Sequence, residues 1–76
     1  MDMYKKKDLK SIIESVVIAI GREENTQEFY TYLSKTIRDP ETRKFFEEIA
    51  KKEEVDIEET EAFLEELEED LKNAEE

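Results

Sequence analysis

Thr36-Ile37-Arg38-Asp39-Pro40-Glu41 contains the only Pro of a 76-residue chain that has a single Gly and no Cys. Asp39 is a natural N-cap, and Pro40 suits a first helical position, where its missing N–H has no partner to lose. Glu41 then sits against the positive end of the helix that follows. Downstream, Phe45, Phe46, Ile49, Ile57, Phe63, Leu64, Leu67 and Leu71 fall on one stripe, which predicts a helix from Pro40 to about Asn73. Upstream, Leu9, Ile13, Val16, Ile20, Gln27 and Tyr30 recur at helical spacing, which predicts a helix from an N-cap at about Asp8 to about Lys35. Gly21 is the one weak point inside it. The fold class is therefore all-α, an antiparallel two-helix hairpin forming one domain over residues 1–76.

Two helices leave part of each apolar stripe facing water, so the hairpin is expected to need a partner, and a second copy is the simplest one. Charged residues make up 46% of the chain and the net charge is -11, which argues against a nucleic-acid partner, since phosphate binding needs a basic footprint. Lys5, Lys6 and Lys7 are too few to change that, and the hairpin brings them near the acidic stretch 65–70. The longest apolar run, residues 16–20, is far short of a membrane span and follows Glu14 and Ser15, unlike a signal peptide. No membrane partner is expected, and a cytoplasmic location is the default. Thiol chemistry is excluded by the absence of Cys, and no haem, flavin or nucleotide is expected.

In a chain this rich in Glu, the direction of each carboxylate matters more than its spacing. On a helical wheel of about 100° per residue, Glu53 falls at the centre of the second stripe, with Asp56 and Thr60 inside its wider margin. Glu54, Glu58, Glu61 and Glu65 fall toward the edge or outside, where solvated charges belong. In the first helix Glu23 lies between Val16 and Ile20 on one side and Gln27 and Tyr30 on the other. Counted from Arg38, Glu23 lies fifteen residues before the turn and Glu53 fifteen after, so both sit at one depth near mid-helix. Two hairpins packed antiparallel about a two-fold axis at that depth would bring six carboxylates into one layer. A like pair at about 4 Å costs on the order of 4 kcal/mol at an effective dielectric of 20, so protons, water, basic side chains or cations must neutralise such a layer. No Lys or Arg occupies the central stripe there, and an all-oxygen set suits Mn, Fe, Mg or Ca.

These residues carry a resemblance. The segment Ala19-Ile20-Gly21-Arg22-Glu23-Glu24-Asn25-Thr26-Gln27-Glu28-Phe29-Tyr30 resembles the first helix of the rubrerythrin branch of the ferritin-like proteins, where a metal-bridging Glu precedes a Tyr by two turns. The stretch Asp39-Pro40-Glu41 through Phe46-Glu47-Glu48-Ile49-Ala50-Lys51-Lys52-Glu53-Glu54-Val55-Asp56 resembles its second helix, whose Glu-x-x-His motif supplies two ligands. The likeness spans about two thirds of the chain and equals half of the family's four-helix domain. It implies a half-length member that dimerises into a ferritin-like four-helix bundle. The implied ligands are Glu23, Glu53 and Asp56 of a di-metal centre, iron or manganese, with an oxidative or metal-handling role. One departure stands out: Asp56 occupies the His position, and the chain has no His. A carboxylate there makes the site harder and more negative, favouring Mn, Mg or Ca over nitrogen-liking metals. The rubredoxin-type iron site of full-length rubrerythrins is absent for lack of Cys.

Gln27, Tyr30 and Thr60 are expected around the ligands as hydrogen-bonding support. The competing reading is a non-catalytic helical interaction module whose polar layer only sets helix register. Phe29, Phe45, Phe46 and Phe63 are expected in the core. Outward Ile18, Tyr32, Leu33 and Val55 would serve a higher oligomer, and enzymatic activity is left open.

Overall fold

A computed structural model describes residues 6–74 as two helices, α1 (Lys6–Thr36) and α2 (Pro40–Asn73), and the chain doubles back between them into a rod of 57 × 16 × 13 Å. The turn follows from its side chains. Asp39 is extended at φ -66 and ψ 121, and its Oδ2 accepts from Thr42 N at 2.9 Å and from Thr42 Oγ1 at 2.6 Å. These bonds occupy two donors at the start of α2 and hold the Asp39 carboxyl below its ordinary value of 3.8. Arg43, one turn into α2, reaches back: its Nε and Nη2 both donate to the Ile37 carbonyl at 3.1 Å. That carbonyl, just past the end of α1, would otherwise rely on water. At the far end Ala74 N donates to Leu71 O at 3.3 Å and closes α2.

The second helix matches its expected bounds, and the first is already helical at Lys6, the first of the described residues. Asp8 is therefore not an N-cap; it lies within the first turn, where its charge still favours the positive helix end. The expected approach of Lys5 to the acidic stretch lies outside the described residues.

The hairpin core is small: Leu9, Ile20, Ile57 and Leu67 are its buried apolar residues, joined by the buried Ser34 hydroxyl, which donates to Thr31 O at 2.7 Å. The chain exposes 6310 Å² at a mass of 9.1 kDa, whereas a compact monomer of that mass exposes about 4,900 Å². Large apolar side chains are among the exposed groups. Phe29, Phe45 and Phe63, expected in the core, are 55%, 57% and 44% exposed in the single hairpin, and Phe46 is half-buried. The reason is geometric. Two helices bury only the strip between them, and these aromatics lie on its flank. Near the turn they form a continuous array: Phe29 meets Tyr30 edge-on, Tyr30 stacks on Phe46 at 5.7 Å, and Phe46 meets Phe45 edge-on. Phe63 lies five turns further along the same side of α2 as Phe45. The opposite flank is polar, with Glu24, Glu61, Glu65 and Glu68 rimming a shallow cleft over Val17 and Leu64.

Candidate metal centre

Glu23 projects from the middle of α1, and Glu53 and Asp56 project from α2 at a spacing of three, which puts their side chains on neighbouring positions of one helix face. All three are half-buried, and one carboxylate oxygen from each lies within 4.8 Å of the other two. The shared depth of Glu23 and Glu53 and the inward phase of Asp56 thus bring together the three residues singled out from sequence. Glu23 Oε1 is shielded from solvent and has no hydrogen-bond partner. Such an oxygen loses its hydration without replacement, so a group that supplies positive charge or a proton would relieve it.

Among the described residues, the immediate surroundings do not supply that charge. Ile20 and Ile57, one turn from Glu23 and Glu53, are buried and apolar, while Lys51 and Lys52 are exposed. Thr60, expected to support the carboxylates, donates its hydroxyl to the Asp56 backbone carbonyl at 2.8 Å, which fixes the local helix rather than the carboxylate. Tyr30 is engaged through its ring, between Phe29 and Phe46. Gln27 is half-buried and lines a cleft with Thr31, Ser34, Ala50 and Glu54.

Two positions escaped the sequence reading. Ser34 is buried at a place where the periodic pattern would put an aliphatic side chain, and its polarity hid it. Arg43 secures the turn; a basic residue four positions after an Asp-Pro N-cap, within reach of the preceding helix end, was the available signal.

Three carboxylate oxygens make half of the six-oxygen shell that hard cations take, and they are the donor type those cations prefer. The set contains no nitrogen and no sulfur. The donor chemistry, the convergence from both helices and the orphaned Glu23 oxygen all fit a bound cation. Comparison with protein families, with curated proteins and with solved structures gave no match. No helix among the described residues is long and apolar enough to cross a membrane.

Proposed function

We propose that two copies of the hairpin pair antiparallel into a four-helix bundle and hold divalent cations, iron or manganese with magnesium and calcium as alternatives, in a central layer built from Glu23, Glu53 and Asp56 of each copy. The observation that carries this reading is the convergence of the three carboxylates around a buried, unpartnered Glu23 oxygen. The aromatic flank and the excess exposed area supply the motive for pairing, since a stable interface buries about 800 Å² per partner. Charge supports the antiparallel sense. Residues 58–70 carry eight carboxylates and no basic residue, whereas Lys35, Arg38, Arg43 and Lys44 cluster at the turn. Head-to-tail pairing sets each turn beside the partner's acidic stretch, and the parallel alternative would set the two acidic stretches together.

In this arrangement Glu23, Glu53 and Asp56 would hold the cations, and the flanking Ile20 and Ile57 would limit access of water. A cation held there supplies Lewis acidity and, for iron or manganese, redox chemistry, so the role is oxidative or metal-handling. The test is a titration of chelator-stripped protein with Mn(II) and Fe(II), the latter without oxygen, followed by thermal midpoint and sedimentation mass. The expected result is a dimer whose midpoint rises with metal. A monomer, or a midpoint indifferent to every divalent ion, would favour a register-setting or simple interaction role for the polar layer.

A further inference from the structure

The charge of the carboxylate layer implies which cations it takes. Each hairpin contributes three carboxylates, and the pairing proposed above, on which this inference rests, doubles that to six. Two divalent cations leave such a layer two charges short of neutrality, whereas two trivalent cations complete it. Among the described residues, nothing beside the cluster makes up the difference. The chain has no His, Lys51 and Lys52 are exposed, and Ile20 and Ile57 beside the cluster are apolar. The buried Glu23 oxygen receives no hydrogen bond that would spread its charge.

We infer that Asp56 makes this centre bind trivalent hard cations, of the ferric or lanthanide class, more tightly than the divalent cations of the same size that it also holds. With a neutral donor at position 56 the layer would carry four charges, matched to two divalent ions; Asp56 adds one more per copy. The effect on affinity is calculable. One additional unit of ion charge about 2.4 Å from the Asp56 oxygen gains roughly 20-fold even at the dielectric of water. Glu54, next in the chain to Glu53 but exposed and outside the cluster, provides the same charge without the contact.

Lanthanum(III) and calcium(II) are close in size, both are redox-inert, and they differ by one charge. Their affinities are measured by titration calorimetry on chelator-stripped wild type and on Asp56→Asn, Asp56→Glu, Glu54→Gln and Glu23→Gln, each first checked for helicity. The wild type is expected to favour lanthanum, with a ratio that falls roughly 20-fold in Asp56→Asn and holds in Asp56→Glu and Glu54→Gln. A wild-type ratio near one, a ratio insensitive to Asp56→Asn, or an equal fall in Glu54→Gln would overturn the inference, the last by assigning selectivity to the diffuse field of the acidic chain. Calcium and manganese binding that requires Glu23 while lanthanum shows no preference would sink this inference and leave the metal centre standing. Absence of any Glu23-dependent binding would overturn both.

Discussion

Replacing Glu23 by Gln should reverse its sign of effect between chelator and metal. The three carboxylates approach within 4.8 Å, and a like-charge pair at that separation costs about 0.9 kcal/mol at the dielectric of water and about 3.5 kcal/mol at an effective dielectric of 20. The groups are half-buried, so solvent screening places each pair near the lower figure. Glu23→Gln removes two such pairs and offers the remaining carboxylates an amide donor in the same volume. In chelator the variant is therefore expected to be more stable by about 2 kcal/mol per chain, a rise of roughly 8–16 °C in midpoint for a domain of this size. With Mn(II) at a hundredfold excess over its dissociation constant, the wild type gains about 2.7 kcal/mol per site and the variant gains nothing. The order of stability inverts. Thermal melts followed by circular dichroism, at one protein concentration with and without Mn(II), read this directly. A variant that melts below wild type in chelator, or one that gains as much from manganese as wild type does, would refute the account of the layer as a cation site under electrostatic strain.

Phe45→Glu together with Phe63→Glu should shift the sedimentation mass from dimer to monomer, because both rings are exposed in the single hairpin and would be covered only by a second copy. Gly21→Ala should stabilise the chain by about 0.5–1 kcal/mol, since nothing lies within 4 Å of a Cβ built there and the residue is interior to α1; a loss in denaturant titration would mean that another chain approaches that backbone. The hydrogen bonds from Thr42 depress the Asp39 carboxyl, so its contribution is fully present above its unfolded value and is lost as pH falls through the lower folded value. The stability difference between wild type and Asp39→Ala should accordingly be constant near neutrality and shrink in acid below about pH 4, in urea titrations run across pH.

The hairpin was legible because its turn is written in residues with one reading each. Asp39 and Pro40 fix the start of α2 by local chemistry, and the expected bounds of that helix match. The role of Asp8 was less legible, because an Asp serves equally as a cap or as a first-turn acid, and helix-forming lysines precede it. Glu23, Glu53 and Asp56 could be placed together because phase and depth are arithmetic along straight helices. The surroundings were less legible. Whether Thr60 bonds a carboxylate or its own backbone depends on a rotamer, and a threonine hydroxyl in a helix has a carbonyl four residues back always within reach. The exposure of Phe29, Phe45 and Phe63 was hidden for another reason: periodicity reports that a side chain is apolar, not which molecule covers it.

The turn held by Pro40, Asp39 and Arg43 also bears on what the chain is kept from becoming. Two antiparallel helices of similar length can, in principle, straighten into one continuous rod and exchange halves with a neighbour, and a string of such exchanges is a fibre. Pro40 opposes that conversion by removing an interior hydrogen bond and colliding with the backbone at Thr36, and Arg43 grips the Ile37 carbonyl that an extended helix would need free for its own ladder. The same few residues that turn the chain therefore oppose its conversion into an open-ended rod, in a sequence whose aromatic flank is left exposed.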